Sequence, residues 1–181
     1  VSNIGTATIH VVPENDLPTL DLDDDDSGGV NSGNYLGSFT EDGGPVPIHS
    51  EKVITDLDDV NLQSGTVTLT NPQASDQVLV DGTVVFDNGV VTNASGTSNG
   101  VGYTVVLVAG DPVIPFLGSE TIAHYTTALA SVAFNNTSDD PVLTDRIFNV
   151  VVSDGTDQSP VRTATIQMVA VNDPPMVIDP L

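Results

Sequence analysis

The chain has 181 residues, of which 25 are acidic and only three (Lys52, Arg146, Arg162) are Lys or Arg, a formal net charge of −22. Phosphate binding needs Lys and Arg to displace counterions, so this balance excludes nucleic acid and anionic membrane surfaces as partners. No apolar run approaches the roughly 20 residues of a membrane helix, so membrane insertion is excluded too, and nothing at the front reads as a signal peptide.

Apolar residues make up 39% and aromatic ones 4%, without Trp, so a core forms but is built from β-branched aliphatics. Abundant Val and Thr, with 16 Gly and 12 Pro, favour strands punctuated by turns. Of the acids 21 are Asp and four are Glu. They either bind divalent cations or solvate the surface. The short Asp carboxylate suits loops and metal cages, which favours calcium. Cysteine is absent, which in an extracellular module points to bacteria or to metal as the staple.

In chain order, residues 6–18 read TATIHVVPENDLP, and residues 163–175 read TATIQMVAVNDPP. Eight of the thirteen positions are identical at a constant offset of 157. The chain therefore holds one period of a tandem array. Residues 1–16 are read as the last strand and linker of a preceding repeat, 17–173 as one module, and 174–181 as the linker onward. In each copy Thr-Ala-Thr-Ile alternates like a half-buried strand, and Asn-Asp-x-Pro ends it. Asn15-Asp16 and Asn172-Asp173 supply oxygens for a metal where modules meet, or simply form the turn that Asn and Asp favour before Pro.

The run Asp21-Leu22-Asp23-Asp24-Asp25-Asp26 follows. On extended chain Asp21, Asp23 and Asp25 share a face and form a candidate cation site, the plain alternative being a disordered acidic linker. Glu41 lies in FTEDGG at the expected start of the first strand. Strands are expected over 45–49, 52–55, 65–70, 77–80, 83–86, 103–109, 130–135, 146–153 and 161–171. Turns at Asp81-Gly82, Asn88-Gly89 and Asn99-Gly100 separate several of them. After the strand at 52–55, Asp56 and Asp58 face the same way and repel unless a cation sits between them. In TIAHYTTALASV the residues Ile122, Tyr125, Leu129 and Val132 form a helical stripe, so a short crossover helix is expected around 122–129 with Thr121 as its cap.

Catalytic motifs carry little. Gly96-Thr97-Ser98-Asn99-Gly100 matches G-x-S-x-G but is followed by a strand where a nucleophile elbow needs a helix. His10, His49 and His124 lie far apart without zinc spacing. A glycosidase carboxylate pair lacks the aromatic platforms that sugars require. Lys52, the only lysine, is read as capping a strand edge rather than forming an isopeptide bond.

The ordered blocks FTEDGGPVPI, VITDLDDVNLQSGTVTLTNPQ, YTTALASVAFNNTSDDP, DRIFNVVVSDGTDQSP and TATIQMVAVNDPP resemble the cadherin-like repeats of giant bacterial surface proteins and RTX adhesins. They are similar also to chondroitin sulfate proteoglycan-type repeats. The resemblance implies an all-β, Greek-key cadherin-like (Ig-like) sandwich, strung head to tail with calcium at the junctions. It makes Glu41 the strand-A glutamate, Asp56 and Asp58 the Asp-x-Asp pair, and Asn15-Asp16 and Asn172-Asp173 the linkers. Ala170 and Pro174 stand where cadherin linkers carry a further acid and a second Asn, and the Asp-Arg-Glu motif is missing, so fewer calcium ions per junction are expected. The expected function is a non-enzymatic, extracellular, calcium-binding spacer in a bacterial adhesin, whose partners are the neighbouring repeats. The alternative is a ligand-binding adhesion module that holds a glycan or peptide through a calcium-bridged loop, with surface glycans or proteins as its partners.

Overall fold

The computed structural model describes residues 3–29 and 33–174, so residues 1–2 of the expected front segment and 175–181 of the expected onward linker lie outside the described residues. It is an all-β sandwich with one short helix. The strands run β1 (Thr19–Asp21), β2 (Tyr35–Thr40), β3 (Val46–Pro47), β4 (Val53–Thr55), β5 (Asn61–Leu69), β6 (Asp76–Val80), β7 (Thr83–Asp87) and β8 (Val90–Val91). They continue as β9 (Ser95–Ser98), β10 (Val101–Thr104), β11 (Val106–Val108) and β12 (Asp111–Thr121). The helix α1 (Ile122–Ala130) precedes β13 (Val132–Asn136), β14 (Arg146–Ser153) and β15 (Arg162–Val169).

The larger sheet has the order β2-β15-β14-β5-β12-β10-β9, with β11 also on β12; the smaller is β3-β13-β6-β7-β8, and β1 pairs with β4 apart from both. The chain passes from the large sheet at β5 to the small one at β6, back at β9, and across again at β13 and β14. The described pairings are antiparallel except β2 with β15, which run parallel with Ala164 opposite Tyr35 and Val169 opposite Thr40.

Local chemistry explains the elements. In β14, Arg146, Phe148, Val150 and Val152 point inward while Ile147, Asn149 and Val151 are half-buried, the period of two that a strand requires. Asp81-Gly82, Asn88-Gly89 and Asn99-Gly100 each close a two-residue hairpin with both residues at positive φ, the geometry these pairs adopt at least cost. A fourth such turn, Ala109-Gly110, joins β11 to β12. The expected strand over 103–109 is therefore two, broken at Val105. The helix forms where its stripe placed it. Thr121 Oγ1 accepts the His124 N–H at 3.2 Å, and Tyr125, Ala128 and Leu129 are buried. The Tyr125 hydroxyl donates to the Gly118 carbonyl at 2.6 Å, fastening the helix to the bulge in β12.

The core is aliphatic, threaded by an aromatic line: Phe39 on Phe134 with centroids 5.5 Å apart, and Phe134 on Phe148 at 6.0 Å. Beside the middle ring of this line lies a fully buried ion pair. Arg146 Nε donates to Asp76 Oδ2 at 2.6 Å, both side chains being 0% exposed. Asp76 also accepts from the Gln73 N–H and Asn136 Nδ2, and Arg146 Nη1 donates to the carbonyls of Val142 and Thr144. Its guanidinium stands 6.0 Å from the centre of the Phe134 ring.

Residues 3–18 belong to no strand. Ile9 is 86% exposed, whereas Ile166, its counterpart 157 residues on, is 0% exposed in β15.

Removing one partner of a buried ion pair strands the other charge, so Arg146→Ala should cost about 3–5 kcal/mol, whereas Arg146→Met with Asp76→Leu should recover most of that loss. Urea unfolding of both variants measures the difference.

Candidate metal centre

At one end of the sandwich the linker before β1 meets two acidic loops. The first follows β4. Asp56 follows that strand and turns the chain, its Oδ1 accepting the N–H groups of Asp58 at 3.2 Å and Asp59 at 2.9 Å. Its other oxygen, Oδ2, is buried and has no protein donor. Asp56, Asp58 and Asp59 each present a carboxylate oxygen within 4.8 Å of the others. The Asp16 N–H reaches both Asp58 oxygens at 3.3 Å, so the linker is seated on this loop.

The second loop follows β14. Asp154 Oδ1 accepts the N–H groups of Thr156 and Asp157 at 2.6 and 2.8 Å, which folds the turn. Asn15 Nδ2 then bridges Asp154 Oδ2 and Asp157 Oδ2, at 3.0 Å each. Among the described residues, no Lys or Arg forms an ion pair with Asp16, Asp56, Asp58, Asp59, Asp154 or Asp157. A cleft of about 300 Å³ lies between linker and loops, lined by Asn15, Asp16, Thr55, Asp56 and Asp157 among others.

The electrostatics follow. The Asp58 carboxyl is pushed above its ordinary value, by desolvation first and by the charges of Asp56 and Asp16, against the Asp16 N–H. For Asp154 burial alone pushes upward, but the Asn15 amide and the turn N–H groups outweigh it and hold the carboxyl below the ordinary range.

At the other end Glu41 is 3% exposed. Its Oε2 accepts the Val171 N–H at 2.7 Å, its N–H donates to the Val169 carbonyl, and its Oε1 is buried without a donor. Asn172 Nδ2 donates to the Asp173 carbonyl at 3.1 Å, as Asn15 Nδ2 does to the Asp16 carbonyl at 3.2 Å.

Asp21, Asp23 and Asp25 do not share an extended face. The chain turns after β1, and Asp23 is buried with Oδ1 taking the Ser27 N–H and hydroxyl and Oδ2 taking the Gly28 N–H at 2.8 Å. A Cβ at position 28 would lie 2.7 Å from Asp23 Oδ2, so glycine is required there. Asp21 accepts the Asp23 N–H, and Asp25 lies exposed.

The structure thus brings Asn15, Asp16, Asp56 and Asp58 together, and separately places Glu41 beside the segment that carries Asn172 and Asp173. Asp59, Asp154 and Asp157 join the first group without having been singled out from the sequence. Asp59 was visible as the last acid of Asp-Leu-Asp-Asp; the other two are brought in only by the fold. An all-oxygen donor set containing an orphaned buried carboxylate oxygen fits a hard cation. No family model, curated protein or solved structure matches the chain.

Protons compete with a cation for these carboxylates. Asp58, its pKa raised, takes up a proton more readily than an ordinary aspartate as pH falls, so divalent-cation affinity should drop through the acid range before the fold does. Titrations with calcium across that range, beside thermal melts, check the order.

Proposed function

We propose that the chain is a calcium-binding spacer module of an extracellular tandem-repeat adhesin of the bacterial cadherin-like type, working mechanically rather than catalytically. The observation that carries the reading is where the two copies of the linker lie against acidic side chains. The front linker Asn15-Asp16 lies against Asp56, Asp58, Asp59, Asp154 and Asp157. The same linker 157 residues later follows directly on the backbone that Glu41 holds. Joining consecutive repeats through that linker places the glutamate of one module beside the carboxylates of the next. The partners are the neighbouring repeats.

Calcium suits such a site better than magnesium. It accepts six to eight oxygens in irregular arrangements from flexible loops, whereas magnesium demands near-ideal octahedral geometry. The ion neutralises repulsion among the acids and fixes the angle between neighbours. At calcium near one to ten times a site's Kd, linkage supplies about 0.4–1.4 kcal/mol, little for folding but enough to decide whether a linker is straight.

Isothermal titration with calcium, with an EDTA-treated control, tests the reading. Asp56→Ala should weaken the tightest step, because the front cluster keeps its linker and both loops within this chain. Asp173→Ala should leave that step nearly unchanged. The opposite ranking would place the junction on the wrong residues. Absence of binding up to ~10 mM, above the range of extracellular calcium modules, would leave the acids as a solvating surface only.

A further inference from the structure

Two exposed Asn-Gly pairs close hairpins of one geometry. Asn88 and Gly89 have φ of 45° and 84°, and Asn99 and Gly100 have 47° and 86°. Their surroundings differ. The Asn88 side chain is tethered, its Oδ1 accepting the Ser75 N–H at 3.0 Å, while its own N–H donates to the Asp76 carbonyl at 2.9 Å. Among the described residues the Asn99 side chain is hydrogen-bonded only to its chain neighbour, Nδ2 donating to Ser98 Oγ at 3.3 Å. Above that turn stands an imidazole: a Cβ built on Gly100 would lie 3.6 Å from His124 Nδ1 and 3.9 Å from its Cε1. His124 Nδ1 is in turn 2.9 Å from Glu120 Oε2, both side chains being open to solvent.

We propose that Asn99 is a self-modification site: it cyclises onto Gly100 with loss of ammonia and reopens as aspartate or its β-linked isomer, promoted by His124. The Gly100 nitrogen gives up its proton to a base and bonds to the Asn99 Cγ. The Cγ–Nδ2 bond breaks, and the amide nitrogen leaves as ammonia with a proton returned to it. Water then adds to either carbonyl of the cyclic imide, giving the α-linked or the β-linked residue. No oxidant or cofactor is involved.

Three features favour Asn99. Gly100 has no side chain to obstruct the attack, the Asn99 amide is hydrogen-bonded only to its neighbour among the described residues, and the His124 imidazole stands beside the turn, where it can relay the Gly100 proton through water. The product adds a carboxylate to a molecule already at −22. The β-linked form also inserts a methylene into a two-residue turn, which loosens β9, the outermost strand of the large sheet.

The full chain, held in neutral buffer and sampled over weeks, is digested and its peptides are resolved by mass and by separation of the β-linked form. Asn88, in the same turn type of the same molecule, is the internal standard. Conversion at Asn99 should outrun that at Asn88 by roughly tenfold, and His124→Gln should remove most of that difference, a contribution at or below the usual range for a positioned acid–base group. The exposed position of His124 leaves the core untouched by that substitution, and a thermal melt verifies it. Equal or faster conversion at Asn88 overturns the proposal, as does a rate at Asn99 that His124→Gln leaves unchanged.

Discussion

The two sheets are pinned to each other by one buried ion pair. Asp76 opens β6 in the small sheet and Arg146 opens β14 in the large one. A charge taken out of water costs several kcal/mol unless it is paired and hydrogen-bonded, and here the Asp76 carboxylate receives Arg146, Asn136 and the Gln73 N–H. The constraint is therefore stringent: the loops 71–75 and 137–145 must close in one way or leave a bare charge in the core. The aromatic line from Phe39 to Phe148 packs against that closed arrangement.

The pin also fixes what lies at the far end of the same strand. From Arg146 to Ser153, β14 spans eight residues, about 26 Å at strand rise, and its last residue delivers Asp154 to the linker. With β5 on one side and β15 on the other, this strand cannot tilt without disturbing both. The basic residues reinforce the separation of charge. Arg146 is buried at one end of β14, the Arg162 Nε donates to the Leu20 carbonyl, and burial pushes the half-buried Lys52 ammonium down from its ordinary pKa. None of them forms an ion pair with the acidic loops, so a cation is the natural counter-charge for the proposed junction.

Much of the fold was legible because its signals are local. The alternation in IFNVVVS gave β14, three Asp-Gly and Asn-Gly pairs gave hairpins, and the stripe through Tyr125 and Leu129 gave the helix. The longest strand, β12, was not legible. It contains Pro112, Pro115 and Gly118, yet Pro115 lies in a gap of the ladder to β10 and β11, between the pairs Tyr103–Phe116 and Val106–Val113, where a residue without an N–H costs no rung on that side. β2 was hidden by Gly37, over which the Tyr35 ring folds. The site divides the same way. Asp56 and Asp58 showed themselves by spacing, but Asp154 and Asp157 meet Asn15 across 139 and 142 residues, a distance no local pattern crosses. At Asp21, Asp23 and Asp25 the spacing assumed extended chain, whereas the chain turns there and the Ser27 N–H is shared by the Asp23 and Asp25 carboxylates.

The parallel pairing of β2 with β15 bears on how such a module would carry load. Tension between the linkers at Asn15-Asp16 and Asn172-Asp173 pulls β15 from its C-terminal end, while the front of the chain draws β2 the opposite way. Two parallel strands pulled from opposite ends slide along their length, so the rungs from Tyr35–Ala164 to Thr40–Val169 are strained together. An antiparallel hairpin pulled at its open end parts one rung at a time. The sandwich thus sets its terminal strand in shear, the loading direction in which a short ladder resists most.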